Sequence, residues 1–436
     1  MNSRDRQILK IALPAIVTNI TVPLLGLVDT AIVGHMGAPA YIGAVAVGSM
    51  IFNLIYWVFG FLRMGTSGMT AQARGRRDMM EATRLLARSA TVSLAVALSL
   101  ILLQWPLCEL MLNLIGPTPD VRPLAATYFY MVIWGAPASL GLFTLTGWLI
   151  GMQNTRLPML VSISQNVVNI LCSLVLVYVL DMKIEGVALG TVIAQYAGLL
   201  AGLGLLWNYY GKLWHGRGFS LKSLLPLSPF LRVNRDIFLR TIFLVAVNLY
   251  FTAAGARQGA VILAVNTLLM QLFLLFSYVL DGFAYAGEAL GGRFWGAHDI
   301  VAFRDVVKRL FGWGVLMTVL FTAVYVVGGM PFLRLLTDEP LVVEASRDYV
   351  WWAYMIPAAG IAAFVWDGIF IGITHTRGML WSSVVAAVVF FIGVTLLVEL
   401  MDNHGLWLSM LLYLLMRGLI QSVIFFCFLS IHGKTR

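Results

Sequence analysis

Charge is what this chain has least of. Only 11% of its 436 residues are Asp, Glu, Lys or Arg, against 60% that are hydrophobic. A soluble domain draws roughly a quarter of its residues from the charged set, so most of this surface must be solvated by lipid. Cysteine is scarce too: Cys108, Cys172 and Cys427 stand singly in apolar runs, without the spacing of a metal site. The six histidines make no His-Glu-x-x-His pattern, and Gly433-Lys434-Thr435 has Phe428 where a phosphate-binding loop needs its first glycine. No cofactor, metal or ATP site is therefore expected, and any work must be driven by an ion gradient or a partner. A membrane-embedded hydrolase or transferase would need a converging nucleophile and base. His35, His375 and His404 near helix ends do not supply one.

What is present is apolar length. Stretches of the roughly 20 residues that cross a bilayer recur throughout, predicting spans near 7–34, 40–72, 81–110, 122–150, 157–180 and 186–210. A second set follows near 235–256, 259–293, 301–328, 343–372, 379–400 and 405–430. The expected fold is an all-α integral membrane protein of about twelve transmembrane helices in two pseudo-symmetric six-helix lobes. Residues 1–213 form the first lobe, 214–231 a cytoplasmic linker and 232–436 the second. The apolar run from Ile8 past Val33 is too long for a signal peptide and reads as the first helix.

The net charge of +9 is a matter of topology. With the N-terminus cytoplasmic, only Arg122, Lys183, Arg257, Arg334 and Arg347 fall outside, and Arg63 and Arg417 lie within spans. The other 22 of 29 basic residues are then assigned to the cytoplasmic side. That bias follows the positive-inside rule and puts both termini in the cytoplasm; no nucleic acid is implied.

The halves repeat. Gly147-Trp-Leu-Ile-Gly-Met-Gln-Asn-Thr-Arg156 matches Gly368-Ile-Phe-Ile-Gly-Ile-Thr-His-Thr-Arg377 at five of ten positions, and Gly75 with Asp78 resembles Gly296 with Asp299. Six helices separate each pair, so the copies share one orientation, as in transporters built from parallel repeats. Duplicated scaffolds also serve channels and some membrane enzymes.

Charges within spans are costly and usually functional or paired. Asp29 lies in the outer half of the first helix, where desolvation penalises its ionised form, and Pro14 and Pro23 on that helix permit a bend. The pair reads as a proton switch; the alternative is a carboxylate solvated near the outer interface. The fifth span carries Gln165, Asn166, Asn169 and Ser173, and the sixth Thr191, which serve either a site or interhelical hydrogen bonds. Asp281 and Glu288, two turns apart, form with Asp367 an acidic set in the second lobe. Arg63, close to the repeat equivalent of Asp281, is expected either to latch onto one of these acids or to pair within its own lobe. Met64, Met270, Phe273, Phe276, Tyr278, Tyr285 and Trp366 either line a cavity for flat apolar cations or face lipid and packing neighbours.

At these residues the chain resembles the MATE (multidrug and toxic compound extrusion) family. The pattern Pro14…Pro23…Asp29-Thr30…Val33-Gly34 carries the likeness, with Leu62-Arg-Met-Gly65, Thr70-Ala-Gln72 and the duplicated segments. Asp281-Gly-Phe-Ala-Tyr-Ala-Gly-Glu288 and Asp367-Gly-Ile-Phe-Ile-Gly372 are similar to its DinF branch. The resemblance implies a V-shaped pair of lobes exporting organic cations or toxic metabolites in exchange for protons or sodium. It implies a coupling set at Asp29, Asn169, Ser173 and Thr191, with the helix bending at Pro14. Ser173 stands where relatives carry an acid, and a helix-4 Asn has no clear match near Leu145–Trp148. A single titrating Asp29 therefore favours protons, with sodium the other possibility. The implied protein is a monomer in the bacterial inner membrane acting on small molecules. Its nearer rival is a lipid or polysaccharide-precursor flippase, which an arginine-rich cleft would favour over the acidic one expected here.

Overall fold

The computed structural model describes residues 3–34, 39–213 and 226–432, without the side chains at 22–25, 27, 30, 431 and 432. Most of the expected linker, residues 214–225, lies outside the described residues.

Every described regular element is a helix. A bilayer interior offers no water to spare backbone groups, and a helix satisfies its own. Helix α1 is Ser3–Gly34. There follow α2 (Pro39–Gly75), α3 (Met79–Leu102), α4 (Val121–Gly151), α5 (Arg156–Val179), α6 (Lys183–Leu213), α7 (Ser228–Arg257), α8 (Ala260–Gly296), α9 (Ile300–Leu336) and α10 (Pro340–Gly372). The last long element, Thr376–His432, is two helices, α11 and α12, divided by non-helical backbone at Asp402. Besides the short helix Gln104–Ile115, the described residues thus hold twelve long helices, the number the apolar spans predict.

Two compact units form: Val17–Asn234, and Met1–Ile16 together with Arg235–Arg436. Grouped by contacts, the units divide within α1 and α7. The beginning of α1 belongs with the C-terminal unit, and the beginning of α7 with the N-terminal one. Side-chain contacts explain both. Asp5 accepts from Arg309 Nη1 at 3.0 Å and from Trp313 Nε1 at 3.3 Å, and Ala12 and Ile16 lie where any side chain at Gly282 would collide. In the N-terminal unit, Asn234 fills the space that Gly65 leaves open, and Phe230 joins the buried cluster around Trp148 and Leu149.

The repeat is visible in how each unit packs. Gly147 sits on the Arg63 carbonyl and Gly151 on that of Ser67; in the other unit Gly368 sits on Ala284 and Gly372 on Glu288. Each glycine admits a backbone approach that a Cβ would block. All four pairs keep one spacing (147 to 368, 151 to 372, 63 to 284, 67 to 288). That spacing matches Arg63 with Ala284 and sets Asp281 one turn earlier, against Gly60. The helix ends repeat as well. Arg77 (φ 61°) and His298 (φ 60°) close α2 and α8 in left-handed backbone, as Gln153 (φ 58°) and Thr374 (φ 54°) close α4 and α10. Asp78 then caps Glu81 N–H, and Asp299 caps Ala302 N–H, each at 2.9 Å.

Burial separates centre from rim in the C-terminal unit. The most apolar stretch of α10 is 78% buried and that of α9 only 17%. The first is a core helix, and the second turns its apolar side outward as a lipid-facing helix must.

Candidate functional site

In the N-terminal unit the expected coupling residues converge. α5 brings Asn169 to Thr191 on α6, with Asn169 Nδ2 donating to Thr191 Oγ1 at 3.2 Å. The threonine hydroxyl donates onward to the Val187 carbonyl at 3.0 Å. Ser173, one turn along α5, is fully buried, and its Oγ would lie 2.5 Å from a Cβ at Gly190. The glycine of the Gly186-x-x-x-Gly190 pair thus makes room for a hydroxyl. The second half of α1 is fastened to α5 by Tyr178 OH on the Ile32 carbonyl at 3.0 Å and Asn166 Nδ2 on the Thr21 carbonyl at 3.3 Å. These bonds help place Asp29, which is 8% exposed.

One residue that sequence reasoning missed ties the set together. Tyr128 on α4 is buried, its ring packed where Gly48 on α2 has no side chain. Its hydroxyl has Ser49 and Thr191 within hydrogen-bonding reach and lies in the field of Asp29. The only sequence signal was a tyrosine in an apolar span, and a glycine pairing across 80 residues of chain is invisible without the fold.

Three oxygens in this cluster are buried without a donor: Asp29 Oδ1, Asn169 Oδ1 and Ser173 Oγ. Buried polar atoms are nearly always satisfied, so this grouping marks a place where a proton or a small cation has something to gain. Of the hinge candidates, Pro14 lies within α1, which runs as one helix from Ser3 to Gly34. The Pro23 side chain falls outside the described residues.

The C-terminal unit is different. Asp367 is 7% exposed, and both its oxygens are occupied. Gln421 Nε2 donates to Oδ1 at 2.7 Å, Arg417 Nη2 to Oδ2 at 2.9 Å, and Arg240 Nη2 also to Oδ2. Arg240, counted by its neighbours Arg232 and Arg235 among cytoplasmic charges, is instead 5% exposed on α7. The acidic character expected of this region is thus offset by two buried guanidiniums. Asp281 accepts from Ser277 Oγ at 3.4 Å and is near enough for its charge to act on both arginines. Glu288 is buried in a π-helical turn, Gly287–Gly291. Arg63 and Met64 belong to the other unit.

Among the expected lining residues, Met270, Phe273 and Tyr278 are half-buried on α8. Trp366 is closed in instead: its Nε1 donates to Ser422 Oγ at 2.7 Å, and its ring packs 4.2 Å from Phe425 and 4.8 Å from Phe311. It is a core residue. Among the described residues no group of His, Cys, Asp and Glu has the makings of a metal site.

Twelve long helices among the described residues, in two repeated sets each with a buried polar cluster, make up a membrane transporter of the MatE family. The family model matches residues 14–175 and 237–397, and the chain belongs to it; it is not an enzyme. DNA damage-inducible protein F of Escherichia coli (strain K12) is 38% identical over 422 residues, covering 96% of this chain and 91% of the relative. The likeness places the chain in the DinF branch. A probable multidrug resistance protein NorM of Thermotoga maritima is 24% identical, over 78% of this chain and 74% of its own. A solved structure described as MATE in the bent conformation shares the fold with a TM-score of 0.88 at 17% identity, covering 100% of this chain and 97% of its own.

Proposed function

We propose that this protein is a secondary efflux antiporter of the inner membrane, both termini cytoplasmic, which exports amphipathic toxic compounds, organic cations among them, against an inward flow of protons. It works as a monomer by alternating access. Asp29 carries the proton, and Asn169, Ser173, Thr191 and Tyr128 hold the site that accepts and releases it. The observation that carries this reading is the group of three buried oxygens without donors at Asp29, Asn169 and Ser173. The cluster contains one acid, so one proton neutralises it. A sodium ion, which prefers several oxygen ligands, finds a single formal charge there. The relatives named for multidrug resistance support export as the direction of transport.

The test is substrate-evoked proton movement in proteoliposomes, in sodium-free buffer with the potential clamped. Ethidium is expected to drive proton counterflow in the wild type, and Asp29→Asn to abolish it. A response that begins only when sodium is added would replace the coupling ion. Silence under both ions with several cations would favour the flippase.

A further inference from the structure

The C-terminal unit holds more positive donors than its carboxylate uses. Arg240 and Arg417 are 5% and 4% exposed, and both turn to a single oxygen, Asp367 Oδ2. A guanidinium carries five N–H donors in a planar fork. Here the Nε of each arginine is buried without a partner. Arg417 Nη1 reaches only the Tyr413 hydroxyl, at 3.5 Å. Leaving a charged donor buried and unmade costs more than leaving a neutral one, and two arginines in one cluster leave several. The field of Asp281 offsets their charge but gives those Nε atoms no acceptor.

The surroundings are aromatic. The Phe364 and Tyr413 rings each lie 5.8 Å from Arg417 Cζ. Phe364, itself buried, packs against fully buried Phe276 at 6.0 Å and half-buried Phe273 at 6.2 Å. Fork donors beside flat apolar rings match a molecule with an oxyanion at one end and an aromatic body at the other. Asp367 already shows that the pair takes a carboxylate oxygen: both guanidiniums meet its Oδ2.

We propose that Arg240 and Arg417 bind the carboxylate of an amphipathic aromatic substrate on their unpartnered Nε edges, with Asp367 as the internal carboxylate that competes for the same guanidiniums. The inference rests on the exporter reading for why such a molecule reaches the site; the binding itself needs no gradient. Zwitterions with a carboxylate and a distant cationic group belong to the class it admits.

The experiment is calorimetric titration of the purified full chain in neutral detergent with 2-naphthoate, and with 2-naphthylmethylamine as a cation of similar shape. Saturable binding of the naphthoate is expected. Arg240→Gln should weaken it at least tenfold, and Arg417→Lys, which keeps the charge but loses the fork, at least fivefold. Asp367→Asn, which removes the internal competitor, should tighten it at least tenfold, a gain that damage to the fold does not produce. Circular dichroism and gel filtration establish that each variant is folded; should Arg240→Gln fail to fold, Asp367→Asn and Arg417→Lys decide. Unchanged or weaker naphthoate binding in Asp367→Asn, or amine binding as tight as naphthoate, would overturn the proposal. A protein that follows these rules yet moves no protons retains this site and loses the coupling reading. One that couples protons without the Asp367 effect loses this site alone.

Discussion

In the N-terminal unit Asp29, Asn169 and Ser173 each keep a buried oxygen without a donor, whereas in the C-terminal unit three side chains occupy both oxygens of Asp367. The two units share a repeat, with the same glycine contacts and the same helix ends. Their polar residues have nevertheless diverged to opposite states of satisfaction. A carboxylate with an oxygen to spare can gain by taking a proton. In the other unit, two guanidiniums and an amide already use both oxygens of Asp367. The spare capacity in the second unit lies on the donor side, with the arginines.

Stability separates the two sites most sharply. Asp367→Leu leaves two buried guanidiniums uncompensated and should cost about 3–5 kcal/mol. Asp29→Leu removes an acid with an unsatisfied oxygen and should cost under about 1 kcal/mol. Chemical unfolding of both variants in detergent measures the difference, and equal losses would erase the contrast. The repeat makes the reverse prediction, that paired sites behave alike. Gly147→Ala and Gly368→Ala each push a Cβ into a facing carbonyl and should each destabilise by about 1–3 kcal/mol; a large cost in only one would show that the packing repeat is nominal. Smaller again, Arg77→Gly and His298→Gly relieve left-handed backbone at matching helix ends. Each should stabilise by up to about 1 kcal/mol, read as a small rise in the unfolding midpoint.

The architecture was legible because it is written in length and repetition. Apolar runs gave twelve spans, and the two copies of Gly-x-x-x-Gly ending in Thr-Arg gave the duplication. Asp29, Asn169, Ser173 and Thr191 were legible as rare polar residues in apolar helices, supported by the family pattern. Arg240 was not, because Arg232 and Arg235 just before it make a basic flank, and the helix carries the third arginine inward to Asp367. Tyr128 was hidden for another reason, since its place depends on Gly48 on α2, 80 residues away along the chain. The division of α1 and α7 between the units was hidden too. A boundary inside a helix leaves no break in hydropathy, and it is set by contacts such as Asp5 with Arg309.

The N-terminal site is proposed to exchange a proton, and the C-terminal carboxylate to keep its ion pairs. This contrast is tested most directly by counting protons released when ethidium binds the purified protein in weakly buffered detergent, followed with a pH indicator. Release is expected from the wild type and from Asp367→Asn, and none from Asp29→Asn. Release that persists in Asp29→Asn and disappears in Asp367→Asn would contradict it.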